Sequence, residues 1–388
     1  MGLRRSVVLA LACAVAAAGG LVALGAGREP ARAGCGLWRI DAMPPSPEAD
    51  RFLFGVGASS ESDAWAVGST RSPGGAARAL ALHWDGERWR AVATPSAGPG
   101  DQFLNAVAVV SPSDAWAAGF WRGSDDVAST LVMHWDGRRW SIVESPNPGD
   151  GEHILASASA GASSDVWFAG TSRIGSSFRS LILHWDGAGL TATYPSRDVA
   201  PAGEAIGAVS SAGSIALAVG GRALENGGTE PLVLRWDGSA WHDDGVGLAA
   251  EHGAILGGVA ASPSGKAWAV GSYPGIGTTA GFAAGFDGSR WTTFRRRSLG
   301  TGDSLSGVAA FDGGAWAVGS YVEDRIERTL IERGADGGWR RVSSPNATDR
   351  DNHLLDVAAL PTGEAWAVGS TTDAGHREHP LIQHFCPA

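Results

Sequence analysis

The stretch DAWAVGS, which begins at Asp63, returns in related form six more times before the chain of 388 residues ends. With the central tryptophan as the marker, successive copies are about 50 residues apart. A repeat of this length constrains the fold more than local propensity does, because each copy must be one supersecondary unit that stacks on the next. The markers are Trp65, Trp116, Trp167, Leu217, Trp268, Trp316 and Trp366.

A second motif runs in phase with the first and contains an Asp-Gly turn. It reads HWDGERW from His83, HWDGRRW from His134, HWDGAGL from His184, RWDGSAW from Arg235 and FDGSRW from Phe286, and the sixth copy, GADGGW, is shifted by one residue. Each repeat contains four short apolar segments, and Asp-Gly is a frequent hairpin turn. Four short strands per repeat indicate a propeller blade, so the chain is predicted to be an all-β, seven-bladed β-propeller.

Alternation within the first motif predicts how the blades pack. In a strand, Trp65 and Val67 lie on one face, and Ala64, Ala66 and Gly68 lie on the other. Neighbouring blades cover both faces of each sheet, so we expect the bulky face of one blade to fill the small face of the next. Across the Asp-Gly turn we expect paired tryptophans to meet, as at Trp84 and Trp89.

The two ends of the chain predict how the ring closes. The seventh repeat stops at LIQHFCPA, before its fourth strand, and CGLWRIDAMPPS near the start matches GRRWSIVESPNP, with Trp38 in the place of Trp140. The N-terminal strand is therefore expected to complete the last blade. On this alignment Cys35 and Cys386 occupy a hairpin turn, which predicts a disulfide in an exported protein. The remaining cysteine, Cys13, would leave with the leader.

Residues 1–33 are predicted to be a secretory signal peptide, because Arg4-Arg5, an apolar run from Val7 to Leu24, and Ala31-Arg32-Ala33 follow in that order. Uncleaved, a run of this length would anchor the protein in a membrane, and the arginine pair also fits a twin-arginine signal. We expect cleavage, a secreted single propeller domain over residues 34–388, and no stable membrane insertion afterwards. The membrane-anchored form is the alternative.

The net charge of the chain argues against one class of partner. The formal net charge is −10, and removal of the leader makes it about −13. Such a surface repels nucleic acid, so we expect no nucleic-acid partner. We expect a monomer that binds a glycan or a protein.

An apolar strand ending in AVGS, followed by a variable connection and then by HWDGxxW, resembles a kelch-like blade, and the resemblance covers residues 34–388. The double glycine of kelch repeats appears only at Gly220-Gly221. The pattern is more similar to secreted bacterial propellers with DxWAVG and HWDGxxW repeats, a family of unknown function. The resemblance implies a fold and no activity.

Candidate ligand-binding residues lie in two sets of loops. One set joins the second and third strands of each blade, and the other joins each blade to the next. Both sets lie on the same face of a propeller, and their sequences differ between repeats. Histidines and carboxylates there would bind a divalent metal or act as acid and base, whereas the alternative is that they are solvated loop residues. The histidines of the third strands are expected to pack between blades, and Arg295-Arg296-Arg297 to be a solvated strand end. The candidates are His153, His252, His353, His376, His379, Asp101, Glu152, Asp351, Trp121 and Tyr321.

The predicted function is that of an exported, non-catalytic binding or scaffold propeller that recognises a glycan, a cell-envelope polymer or a protein through its variable loops. The alternative is a metal- or histidine-dependent lyase or hydrolase with its site at the channel mouth. The sequence leaves open whether the protein is an enzyme, since it contains no helical zinc motif, nucleophile elbow or phosphate loop.

Overall fold

The computed structural model describes residues 35–45, 50–175, 177–193, 203–248, 253–273, 279–294, 296, 299, 302–335 and 338–388. The predicted leader and His252 lie outside these residues. Within them, no helix is both long and apolar enough to cross a bilayer.

Short strands account for almost all of the described secondary structure, apart from one 3-10 turn at Gly245–Leu248. In chain order the strands are β1 (Trp38–Ile40), β2 (Asp50–Ser60), β3 (Asp63–Arg71), β4 (Arg78–Trp84), β5 (Trp89–Val92), β6 (Gln102–Ser111), β7 (Asp114–Arg122), β8 (Ala128–Trp135), β9 (Trp140–Val143), β10 (Glu152–Ala162), β11 (Asp165–Ile174), β12 (Ser177–Trp185), β13 (Leu190–Thr193) and β14 (Glu204–Ala212). They continue with β15 (Ile215–Ala223), β16 (Thr229–Trp236), β17 (Trp241–Asp243), β18 (Ile255–Ala261), β19 (Ala267–Tyr273), β20 (Ala280–Phe286), β21 (Trp291–Thr293), β22 (Asp303–Phe311), β23 (Gly314–Glu323), β24 (Ile326–Ala335), β25 (Gly338–Val342), β26 (Asn352–Ala359), β27 (Ala365–Thr372) and β28 (Glu378–Phe385).

These strands form seven antiparallel sheets of four strands each in the described residues, and each sheet is one blade. Blades one to six are consecutive meanders that start at β2, and blade seven has the order β1-β28-β27-β26. The seven-bladed propeller and its closure by the N-terminal strand are thus confirmed.

A disulfide secures the strand that closes the ring. In blade seven Trp38 pairs with Phe385, and Cys35 bonds to Cys386 with their Cα atoms 4.8 Å apart. The bond replaces the covalent hairpin turn of the other blades. Because it closes a loop with a sequence separation of 351 residues, the chain-entropy relation gives an upper limit of about 6 kcal/mol for its contribution to stability.

The core consists of seven clusters among the described residues, one at each joint between neighbouring blades. At the joint of blades one and two, Trp65 and Val67 pack on Ala115 and Ala117. This contact confirms the predicted packing of a bulky face on a small one. The predicted meeting of Trp84 and Trp89 is also confirmed, since their ring centroids are 5.7 Å apart.

The glycine of AVGS is required by a close backbone approach. Each innermost strand has a β-bulge, as between Leu53 and Gly55, which presses a carbonyl group against the second strand. A Cβ on Gly68 would lie 1.8 Å from the carbonyl oxygen of Phe52, and at the six equivalent glycines the distance would be at most 2.1 Å. No other side chain fits there, which explains why this letter recurs in all seven repeats.

Histidines of the third strand bond mainly within their own blades, whereas the sequence predicted packing between blades. The Nε2 atom of His83 lies 2.7 Å from the Asp63 carboxylate, and its ring centroid is 4.5 Å from that of Trp65. Blades two and three repeat this arrangement, and in blade seven Glu364 replaces the aspartate beside His384, at 2.8 Å. These imidazoles are therefore part of the packing.

The sequence prediction for the arginine cluster at 295–297 is wrong for Arg296, the member that the structure describes. Its guanidinium is buried rather than solvated, with Nη2 2.6 Å from Glu332 and 3.3 Å from Asp303. Two carboxylates of blade six compensate for the burial of this charge. The sequence around Arg296 does not predict these ion pairs, because one of the partners belongs to a distant strand.

The seven innermost strands surround a central channel of about 330 Å³. Their inner edges have unpaired backbone groups, and side chains of neighbouring blades bond to several of them. Val56 donates its N–H to Asp356 at 2.9 Å, the Asn105 amide donates to the Leu155 carbonyl at 2.8 Å, and Val209 donates to Ser157 at 3.1 Å. Burial raises the pKa of Asp356 to about 6, although hydrogen bonds from the backbone oppose the shift.

Candidate functional site

The two ends of the ring differ in the segments that form them. We call one end the mouth face; it contains the connections between second and third strands and those that lead into the next blade. The other end, the turn face, contains the tight hairpins and the Asp-Gly turns. All the sequence-predicted ligand residues that the structure describes come from the mouth-face half of the blades.

Acidic residues at the start of the innermost strands hold the connections of the preceding blade. Asp101 accepts the Ala77 N–H at 2.6 Å and pairs with Arg71 at 3.0 Å. Asp351 similarly accepts the Glu327 N–H at 2.9 Å. These carboxylates therefore fix loop conformation, which is a structural reason for their repetition.

Glu152 occupies the same repeat position but binds arginines. Its carboxylate lies 3.1 Å from Arg122 of blade two and 3.3 Å from Arg173 of its own blade. The hydrogen bond from Arg122 is the main cause that lowers the pKa of Glu152. The side chain thus links two blades across the mouth face.

His153 and His353 do not occupy equivalent positions in their blades. His153 pairs in register with Ser172, two residues before the bulge leucine, whereas His353 is one residue before its leucine and pairs with Ser370. Because strand side chains alternate, the two imidazoles lie on opposite faces of their sheets. The two imidazoles therefore do not come together in one site at the channel mouth.

The surroundings of the two histidines differ as well. His153 is buried, its Nδ1 is 2.9 Å from the Ser172 hydroxyl, and burial lowers its pKa. His353 is half-buried, with Nε2 3.0 Å from the Ser370 hydroxyl and Nδ1 3.7 Å from Glu327. Only His353 is linked to both a hydroxyl and a carboxylate.

The other predicted residues are dispersed. His379 lies 2.8 Å from Asp373 and its hydrogen bond lowers the pKa of that carboxyl to about 2, while His376 lies in the adjoining turn with φ of 61°. Trp121 covers Gly98, and Tyr321 is buried with the Arg341 guanidinium 4.1 Å from its ring centroid. A substitution of Tyr321 would therefore test packing rather than ligand contact.

The described histidine, cysteine, aspartate and glutamate residues contain no group of three or more that is placed to hold a metal ion. The carboxylates of the mouth face bind backbone N–H groups and arginines instead. The geometry of these residues does not fit the divalent metal that the sequence suggested.

A pocket that the sequence did not indicate lies on the mouth face where blades three, four and five meet. Its volume is about 290 Å³, and Phe178 and Ile255 line it with 51% and 40% of their surfaces exposed. Ile255 lies over Gly221, where an added Cβ would be 3.4 Å from it. We call this the Phe178 pocket. In the sequence, this pocket is marked by a single phenylalanine in the polar stretch SSFRS, and the stretch shows no hydrophobic periodicity.

The rim of the Phe178 pocket is polar and negatively charged. Arg222 lies 2.7 Å from Glu204, 3.4 Å from Glu230 and 2.9 Å from Asp243. Three carboxylates around one guanidinium give this cluster an excess of negative charge. Glu204 and Arg222 line the pocket, and Glu230 and Asp243 lie outside its lining, so the acidic rim is the cluster as a whole at the pocket edge.

No protein-family model and no curated protein matches the chain. Among solved structures it is similar to YCF48 bound to D1 peptide, with 14% identity, a TM-score of 0.51, and coverage of 89% of this chain and 98% of that one. It is also similar to the GH74 xyloglucanase from Xanthomonas campestris, with 16% identity and a TM-score of 0.55 over 88% of this chain and 55% of that one. A protein of unknown function from Dyadobacter fermentans gives 11% identity and a TM-score of 0.50 over 90% and 98%. At these identities the comparisons show a shared propeller fold.

Proposed function

We propose that this protein is a non-catalytic binding module whose mouth face captures a segment of another protein at the Phe178 pocket. The main support is the exposure of Phe178 and Ile255, which are two of the most exposed large hydrophobic side chains in the described residues. Both line the same pocket. Exposed apolar surface that gathers in a concave site is typical of recognition surfaces.

Charge favours a particular partner segment. The Arg222 cluster has three carboxylates, and the whole chain has a net charge of −10. An apolar side chain flanked by lysine or arginine would fill the pocket and meet the acidic rim. YCF48, which has a similar fold, is bound to a peptide, and this gives a precedent for the class of ligand.

The test is selection of a displayed library of random short peptides on the purified protein, followed by affinity measurement for the enriched peptides. We expect enrichment of an apolar residue next to basic residues. Phe178→Asp should weaken their binding by about tenfold or more, since buried aromatic contacts dominate such interfaces. Ile142→Asp is the matched control, because Ile142 is 42% exposed on the outer strand of blade two.

Equal binding by the Phe178→Asp variant would overturn the proposal, as would enrichment without an apolar-basic pattern. Retention of glycans rather than peptides on an array, with loss in the same variant, would replace the protein partner by a glycan.

A hydrolase is the second candidate, because His353 lies between the Ser370 hydroxyl and Glu327, as a general base lies between a nucleophile and an acid. Turnover of ester substrates that is lost in both Ser370→Ala and His353→Ala, with melting unchanged, would support it. Turnover that survives Ser370→Ala would contradict it.

A further inference from the structure

The Phe178 pocket and the central channel adjoin at Gly207, which lines both cavities. Gly207 is the unpaired residue of the β-bulge in blade four, between Ile206 and Ala208. Because glycine has no side chain, only backbone lies between the pocket and the channel at this point. A ligand that fills the pocket therefore has the channel directly beside it.

The bulge residues make the channel wall uneven, and its lowest side is the one next to the pocket. Blades four and five have glycines at the bulge, Gly207 and Gly257. The other five blades have side chains at this position, and all seven bulge residues line the channel. The residues with side chains are Phe54, Asn105, Ala156, Ser306 and Leu355. Access to the channel from the Phe178 pocket is thus unobstructed by bulge side chains.

The lining of the channel contains one ionisable side chain, Asp356, and no cation. Its carboxylate accepts the Val56 N–H of the next blade at 2.9 Å. In blade three the hydroxyl of Ser157 makes the same kind of bond, to the Val209 N–H at 3.1 Å. Since a neutral hydroxyl is sufficient to join two blades in this way, the inter-blade bond does not account for the charge of Asp356. A carboxylate in a channel without a cation attracts a positively charged ligand group.

The contacts of Asp356 favour an ammonium group over a guanidinium. One carboxylate oxygen accepts the Val56 N–H, and the other accepts the Val357 N–H at 2.8 Å. A guanidinium binds a carboxylate best through two parallel N–H bonds, which compete with these backbone bonds for both oxygens. The compact ammonium of lysine bonds to one oxygen, and hydroxyls such as that of Ser306 can accept its other protons.

We propose that the partner segment bound at the Phe178 pocket inserts a lysine side chain past Gly207 into the central channel, where its ammonium pairs with Asp356. This inference rests on the proposed function and identifies which basic residue the site selects. The four-carbon stem of lysine lies against the small side chains of the channel wall, and the charged end meets the only carboxylate there.

The test is calorimetric titration of the peptides enriched on the protein, each compared with versions in which one lysine is replaced by norleucine or by arginine. Norleucine keeps the apolar stem and lacks the charge. We expect one lysine whose replacement by norleucine weakens binding about tenfold or more, and arginine at that position does not restore the affinity. In Asp356→Asn, which retains an acceptor for the Val56 N–H, the same replacement should change the affinity less than about twofold.

Asp312→Asn is the matched control, because it removes an exposed carboxylate from the turn face. In this variant the lysine should keep its full tenfold effect. Peptides that depend on Phe178, but whose lysine replacement costs as much in Asp356→Asn as in the unmodified protein, would overturn this inference and leave the proposed function standing. An equal reduction of the lysine effect by Asp312→Asn would overturn it as well, since the attraction would then come from net charge alone. Without any peptide that depends on Phe178, the proposed function and this inference both fail.

Discussion

The joint between blades one and two is filled by aromatic rings, whereas the equivalent joint between blades five and six is open on its turn face. In the first, Trp65 contacts His83 and two tryptophans of blade two, with centroids 4.5–5.0 Å apart. In the second, Trp268 borders a cleft of about 650 Å³, and Gly334 stands at the register position that is tryptophan or phenylalanine in the other blades. The strand pairing is the same in both, so the side chains decide whether the turn-face end of a joint is filled or open.

The open joint is held by ions on its other side. Near the mouth face Arg296 of blade five is buried against Glu332 and Asp303 of blade six. This buried ion cluster adds to the hydrophobic cluster of the joint, which includes Trp268, Leu305 and Leu330. The filled joint between blades one and two has aromatic ring contacts where the open joint has a cleft.

The largest expected effect comes from breaking the ion cluster. Arg296→Gln leaves two buried carboxylates without their cation and should lower the free energy of unfolding by about 3–5 kcal/mol. Chemical denaturation measures it. Arg290→Gln, at a side chain that is 80% exposed against 4% for Arg296, should change stability little. A loss below about 1 kcal/mol for Arg296→Gln would show that this joint is not held by the cluster.

A smaller effect is the difference between equivalent tryptophan substitutions. Trp65→Ala removes a fully buried ring and should cost about 3–5 kcal/mol. Trp268→Ala should cost roughly 2 kcal/mol less, since a cleft already borders one side of this ring and the neighbours lost there are fewer. Parallel urea denaturation of both variants measures the difference. Equal losses would mean that the open joint is as tightly packed as the filled one.

The smallest expected effect concerns the joint that closes the ring, where Asp356 stands at the register position that is glycine, alanine or serine in the other blades. Its pKa is raised from 3.8 to about 6 by burial, so the native state binds the proton more tightly than the unfolded chain. Stability from this group is complete below about pH 4 and is lost as pH rises to about 6. The loss should be about 1–2 kcal/mol, below the full value of the shift because the side chain borders the channel.

The variant Asp356→Asn retains an acceptor for the Val56 N–H and lacks the titrating group. The difference in unfolding free energy between protein and variant, measured from pH 4 to pH 7, should therefore follow the titration of Asp356 alone. A difference that does not change with pH would contradict the raised pKa.

Much of the fold was accessible from the sequence because it depends on short-range patterns. The period of the repeats gave the number of blades, and alternation in AWAVG gave the faces that pack. The unmatched halves at the two ends gave the closing strand and the Cys35–Cys386 bond. Each of these depends on spacing along the chain, which is visible without coordinates.

The candidate sites were much less accessible. His153 and His353 are both candidates at the start of an innermost strand, but a difference of one residue relative to the bulge puts them on opposite sheet faces. The shift of one residue in the copy GADGGW can be read from the sequence. Strand pairing was needed to show that Gly334 stands where the other blades have a tryptophan or phenylalanine. Phe178 carried no periodic signal, because recognition surfaces lie in segments that differ between repeats.

The sequence by itself determined the ring: seven equivalent joints demand seven copies of the same residues, and the bulge carbonyl demands the same glycine in each. Only the tertiary structure decided which carboxylates bind backbone groups, where Arg296 finds its partners, and where a missing side chain opens a cleft. The physical reason is the distance along the chain between the residues that interact. Strand pairing and face alternation are set by near neighbours, whereas pockets and buried ion clusters are formed by residues that meet only when separate blades pack together.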